Sequence, residues 1–273
     1  MNTFLDLMAK PFIACLVLTG VHAYLGLHVI EREVIFVDLA LAQIAALGTT
    51  LGFLWGFTLH SPTTYLIALS FTLLGAAVFA ATRLRKPLVP HEAIIGVVYA
   101  VAAAAAILVL SRSAEGGEEL KSILVGHLLF IENSELIKMA CLYSVIGLVH
   151  WVFRKQFLLI SQDPEEAFRR GLKVRVWDFL FYATFGIVVT SSVEIAGVLL
   201  VFSFLIVPAL CGVLLARGIG QRLTVGWVAG ALTSMAGVWA SYVWDLPTGA
   251  MVVCAFGACL LLCAGLRAVL RLG

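Results

Sequence analysis

The sequence predicts an all-α, polytopic integral membrane protein with about nine transmembrane helices, in a range of eight to ten. Three observations predict it. Of the 273 residues, 62% are hydrophobic. Only 12% are charged, about half the ~25% usual for a soluble domain. The apolar residues also collect in runs of about 20, long enough to cross ~30 Å of hydrocarbon. With 18 Lys+Arg and 16 Asp+Glu, the chain cannot furnish a soluble surface. This excludes a soluble enzyme, a nucleic-acid binder and a disordered chain.

Runs at 11–30, 34–59, 63–82, 92–110, 135–153, 175–191, 193–216, 222–243 and 247–270 are the predicted spans. The first is expected to be an uncleaved span, because its apolar stretch is long and no clear small-x-small site follows. The stretch 122–131 is too short to cross and is expected as a re-entrant or interfacial helix. Nine spans place Arg32, Arg83, Arg85 and Lys86 on one face. They add the basic residues between Arg154 and Arg175, then Arg217, Arg222, Arg267 and Arg271. The other face receives Lys10, Arg112 and Lys121 with Glu115, Glu118, Glu119, Glu132 and Asp245. The positive-inside rule makes the basic face cytoplasmic, with the N-terminus outside and the C-terminus inside. Trp55, Trp151, Trp177 and Trp244 fall near span ends, as an aromatic belt requires.

Some chemistry is absent. No G-x-x-x-x-G-K-[ST] occurs, so the chain has no P-loop for nucleotide phosphates. His91-Glu92 begins an H-E-x-x-H, but Ile95 holds the second His position. There is no G-x-S-x-G and no C-x-x-C. All six cysteines fall inside predicted spans and are expected as small buried packing residues; disulfides or thiolate metal sites are the alternative. The expectation is a transporter component rather than an enzyme, driven by an ion gradient or by a partner.

Ionisable groups inside a span are costly and are functional candidates by default. Gln43 lies about ten residues from its helix end, ~15 Å deep at 1.5 Å per residue. Asp38 lies one to two turns from the inner surface, and His22 near the middle of the first span. His22, Asp38 and Gln43 are the candidates for one pathway, against plain interhelical hydrogen bonding. His60, His127 and Glu132 are candidates for an outer entrance cluster, against simple interface solvation. His28 is expected to snorkel, and His150 to anchor the interface beside Trp151. Glu92 is expected to answer its helix dipole, Glu135 to pair with Lys138, and Asp178 to face Arg175. Glu194 is expected in an outer turn at 191–194. Gly226 and Gly230, extended by Ser234 and Gly237, predict a close helix contact within or between subunits. Pro208 is expected to kink its helix.

The longest cytoplasmic stretch, 161–175, carries its own helix signals. Asp163 can cap, Pro164 suits the first position, and Glu165 and Glu166 suit the first turn. Gly171 can end the helix in a left-handed conformation. About two turns are unstable alone, so this helix must pack on something, either the membrane surface or a partner.

Glu166-Ala167 with Gly171 resembles the E-A-A-x-x-x-G coupling loop of importer permeases driven by ATP-binding cassettes, with Phe168 at the second Ala. Three further stretches resemble the metal ABC transporter permease family, which takes up zinc, manganese or iron. They are the 196–209 segment AGVLLVFSFLIVPA, the 245–249 segment DLPTG, and the 36–48 segment FVDLALAQIAALG. The last resembles the family's F-x-D-x-L-A-H-A-x-L-x-G motif with a departure. Gln43 stands at the His position and Leu39 at the Asp position, while Asp38 comes one residue early, about 100° around the helix.

The resemblance implies a single permease domain over 1–273 with a coupling loop at 161–175. Asp163, Glu166, Ala167 and Gly171 would meet the ATPase. It implies a cytoplasmic ATP-binding-cassette ATPase that binds the ATP, an extracytoplasmic substrate-binding protein, and dimerisation with itself or a homologous permease. It implies a multi-pass protein of the bacterial inner membrane, in contact with the lipid bilayer and with no nucleic acid. The chain itself would hold no cofactor beyond the transported metal ion. A gradient-driven secondary transporter, an ABC permease for a non-metal cargo, a membrane-embedded enzyme and a regulatory subunit are the rival readings.

Overall fold

The computed structural model describes residues 2–58, 61–83, 89–111, 126 and 128–270, with side chains from residue 7 to residue 269 among them. These residues form helices and connecting turns. We number the helices α1 (Asn2–Glu31), α2 (Val37–Leu54), α3 (Pro62–Thr82), α4 (His91–Leu110), α5 (Asn133–Val152), α6 (Arg154–Gln162), α7 (Pro164–Arg169), α8 (Val174–Ala196), α9 (Val198–Leu215), α10 (Ile219–Trp244) and α11 (Thr248–Leu270). Among the described residues, nine helices are long and apolar enough to cross a membrane, all but α6 and α7. Of the 122–131 stretch, a 3-10 turn at Leu128–Phe130 is described.

One predicted boundary moves. The break expected at 191–193 lies instead at Gly197, which has φ +75 and ψ 160, a conformation open to glycine alone. Ser192 does not break the helix, because its hydroxyl donates to the Val188 carbonyl one turn back, at 2.6 Å. Glu194 is therefore half-buried inside α8 rather than in an outer turn.

The chain divides into two compact units. The first comprises 1–30, 124–145 and 194–273. Here α9, α10 and α11 pack on one another, and α1 lies against α9 and α10. The contacts are backbone-close. A Cβ on Gly26 of α1 would run into the Leu205 carbonyl of α9. The small-residue stripe of α10 has the same purpose. Cβ atoms at Gly226, Gly230 and Gly237 would come within 2.9 Å of the Pro208 carbonyl oxygen, 2.5 Å of Thr19 and 2.7 Å of Val252. The predicted small-residue contact is thus made within the subunit, to α9, α1 and α11. α9 stays continuous across Pro208, whose carbonyl forms part of this seam. The Trp227 indole N–H donates to the Gly20 carbonyl at 3.0 Å.

The family-like segment at 245–249 is a turn over 245–247 that runs into the first two residues of α11. Asp245 adopts the left-handed conformation (φ 53) that short polar side chains tolerate. The Ser241 hydroxyl donates to the Leu246 carbonyl at 2.6 Å, which closes α10 and launches α11. Cys15 and Cys211 are buried, but Cys141 and Cys254 are exposed and Cys259 and Cys263 intermediate, so burial holds for only part of the cysteine set.

The second unit comprises 31–123 and 146–193. α2 packs on α3 and α4. Gly48 of α2 admits Ala68 of α3, whose Cα would lie 2.7 Å from an added Cβ. Thr72 of α3 and Thr190 of α8 share a buried hydroxyl hydrogen bond of 3.0 Å. Trp177 lies four residues into α8 and is half-buried. It stands edge-on to Phe153 and Phe157, with centroids 5.3 and 5.7 Å away, whereas Trp55, Trp151 and Trp244 are exposed.

Gly26→Ala is expected to cost about 1–3 kcal/mol, because the new methyl meets backbone that cannot move aside. Gly96→Ala on α4, with open space around it, is expected to be neutral or stabilising by up to about 1 kcal/mol. Thermal unfolding of the two purified variants in detergent checks the contrast.

Candidate transport path and docking helix

Asp38 sits in the first turn of α2, where the helix N-terminus favours a negative group. It is 1% exposed, and neither carboxylate oxygen has a hydrogen-bond partner among the described residues. A buried carboxylate with no donor is costly, and such a group is a candidate for binding a cation. Gln43 is half-buried on the same helix. Five residues at 100° each put it about 140° around the axis from Asp38, so the two do not share one narrow helix face. His22 belongs to the first unit and is fully buried on α1. Its Nδ1–H donates to the Leu18 carbonyl at 2.9 Å, which fixes the neutral tautomer with its proton on Nδ1. The ring stands edge-on to Tyr143, with centroids 6.1 Å apart. His60 and His127 lie outside the described residues, and the Glu132 N–H donates to the Glu135 carboxylate at 2.9 Å.

Sequence reasoning missed a buried charge cluster in the second unit. Asp178 does not face Arg175. It pairs with Arg32 at 2.6 Å and with Arg83 at 3.2 Å, and its side chain and that of Arg32 are wholly buried. The Arg32 guanidinium also donates to Ser161 Oγ at 2.8 Å and lies 3.9 Å above the Phe181 ring. Arg32 and Arg83 read as loop charges of the positive-inside bias, so their use inside the fold was hidden. The available signal was Asp178 itself, an acid set between Trp177 and Phe179.

The histidines follow the same pattern. His150 is not an interface anchor; it is buried, stacked on Phe157 at 4.4 Å and hydrogen-bonded with Thr184 at 2.8 Å. His28 is buried edge-on to Tyr24 rather than snorkelling. Glu92 lies in the first turn of its own helix α4, as expected, and its carboxylate also accepts the Phe36 N–H at the start of α2, at 2.9 Å.

The 161–175 loop folds as its residues direct. Asp163 accepts the Glu166 N–H at 2.9 Å and Pro164 opens α7. Gly171 stops it at φ +75. The helix is six residues long, close to the two turns expected at 3.6 residues per turn, and it packs on its own chain. Ala167 is fully buried with Ile160 of α6 and Val174 of α8, and Phe168, Leu172 and Trp177 close around them. Glu166 pairs with Arg169 and with Arg170. Asp163, Glu165, Arg169, Arg170 and Gly171 are left exposed on the outer side. The amphipathic helix α6 that supports this hairpin had no separate place in the sequence reading.

The model of the ABC 3 transport family matches residues 4–266. Over 197 residues, 69% of each chain, the sequence is 28% identical to the manganese transport system membrane protein MntC of Listeria innocua. It is 24% identical to the manganese import system permease protein ScaB of Streptococcus gordonii over 246 residues, 90% of this chain and 86% of that one. The fold is similar to that of PsaBC from Streptococcus pneumoniae in complex with Fab. The TM-score is 0.79 and the identity 22%, with 96% of this chain and 94% of that one covered.

Arg32→Ala is expected to destabilise the second unit by about 3–5 kcal/mol, since Asp178 keeps a buried charge with its shortest partner gone. Arg32→Lys is expected to recover only part of this, because one ammonium cannot reproduce the guanidinium fork toward Ser161 and Asp178. Melting temperatures of the two variants check the order.

Proposed function

The chain belongs to the ABC 3 transport family and is a membrane permease subunit of an ATP-binding-cassette transporter, and on that premise we propose that it imports a divalent transition metal, with Mn²⁺ as the cargo. The observation that carries the metal reading is the buried, donor-free carboxylate of Asp38 in the second span. Gln43 in place of a histidine favours a harder ion. The two stand on different faces of α2, so each would meet the ion singly, and at the Gln43 position an amide oxygen suits Mn²⁺ better than Zn²⁺, which prefers imidazole and thiolate there. The names of the manganese-transport relatives support the same choice.

ATP is bound and hydrolysed by a separate ATPase chain. The proposed docking element is α7 with its flanks, from Asp163 to Gly171. Its exposed charges face outward while Ala167 anchors it to α6 and α8. Closure of the ATPase pair would move this hairpin as a unit. The buried bond from Ser161 to Arg32 carries that movement to Asp178 at the start of the α8 span. A substrate-binding protein delivers the ion to the outer face of the bacterial inner membrane. The permease pairs with a second copy or a close homologue.

The test is a gene deletion grown under manganese limitation, with total cell manganese, iron and zinc measured by elemental analysis. Wild type is expected to restore manganese. Asp38→Asn is expected to reach the membrane at normal levels yet leave uptake at a tenth of wild type or less. Gly171→Asp is expected to fold and fail to couple. Unchanged manganese in the deletion strain, or full rescue by Asp38→Asn, overturns the reading.

A further inference from the structure

The first unit holds a second cluster of ligand-type side chains that the transport reading does not use. Cys211 of α9 and Cys259 and Cys263 of α11 have sulfur atoms that all lie within 4.8 Å of one another. The two helices pack directly, and Cys259 and Cys263 are one turn apart on one face of α11. We propose that Cys211, Cys259 and Cys263 form a thiolate site for a soft divalent ion of the zinc class, which ties α9 to α11.

Three thiolates at a metal–sulfur distance of about 2.3 Å stand about 4 Å apart, so the site closes on an ion with shifts below about 1 Å. Among the described residues no carboxylate or imidazole joins the group, and an all-sulfur donor set selects zinc-class ions over Mn²⁺. Charge is matched as well. Three thiolates around a dication leave one negative charge, and Arg267 follows Cys263 by four residues on the same face.

Access is the remaining requirement. Cys211 is buried and Cys259 and Cys263 are half-buried, on a span that the rest of the described chain covers little. Cys211 and Cys263 lie four and seven residues before the ends of their helices, about 6–10 Å in at 1.5 Å per residue. An ion entering from the basic side therefore needs to pass only one or two turns of helix.

The test uses a full-length variant carrying Cys15→Ser, Cys141→Ser and Cys254→Ser, purified under reducing conditions. Zn²⁺ and, as an optical probe, Cd²⁺ are titrated in. One ion per chain with ultraviolet thiolate–cadmium absorption is expected, unaffected by excess Mn²⁺. A further Cys211→Ser change is expected to weaken binding by more than about tenfold. Because that variant can fail to fold, alkylation of Cys259 and Cys263 in the unmutated protein is also followed by mass spectrometry. Zn²⁺ is expected to protect both. Absence of binding, undiminished binding after Cys211→Ser, or alkylation unaltered by Zn²⁺ overturns the site. So does a Cys211 disulfide that forms in air in a protein that, once reduced, takes up no ion.

Discussion

Arg32 is the fixed point of the second unit. Moving a guanidinium and a carboxylate out of water costs several kcal/mol for each ion, and the cost is offset only when every partner is in place. Arg32 collects its partners from segments far apart in sequence: Asp178 and Phe181 on α8, and Ser161 at the end of α6. Arg83 at the end of α3 reaches the same carboxylate. None of these bonds is local, so the elements must arrive together. That requirement joins the hairpin of α6 and α7 to a membrane span through a polar contact as well as apolar packing.

What could be read in the sequence follows from the range of the interactions involved. Spans are legible because hydrocarbon demands a long apolar run, whatever the neighbours are. The Asp163 cap and the Gly171 stop are legible because cap and stop act within one turn. The α10 stripe announced a close contact, but it could not say that Pro208, Thr19 and Val252 fill it. His150 and Asp178 were misplaced because each is held by side chains distant in sequence, and a charge or ring near a span end defaults to the interface. The break lies at Gly197 rather than at Ser191 and Ser192, whose hydroxyls bond within the helix.

The family-like segments divide by purpose once the fold is known. Gly197 and the Asp245 turn serve chain reversal, and their residue types follow from backbone conformation. The 36–48 segment is different. Gly48 and Ala45 serve packing, while the Asp38 carboxylate has no packing reason to be buried. Part of the candidate site was therefore legible as chemistry, because a carboxylate in a span needs an explanation. The cysteine group was not legible, since Cys211 is 48 residues before Cys259 and each thiol alone resembles a small apolar side chain.

The short docking helix has a kinetic consequence. A six-residue helix in isolation would spend most of its time unwound, and a partner binding it would have to order it first. Burial of Ala167 against Ile160 and Val174 removes that step. Association then begins from a preformed surface, with the ordering entropy already met by folding of the permease. The encounter rate becomes a matter of diffusion and of the exposed charges around α7, and it should fall as ionic strength rises.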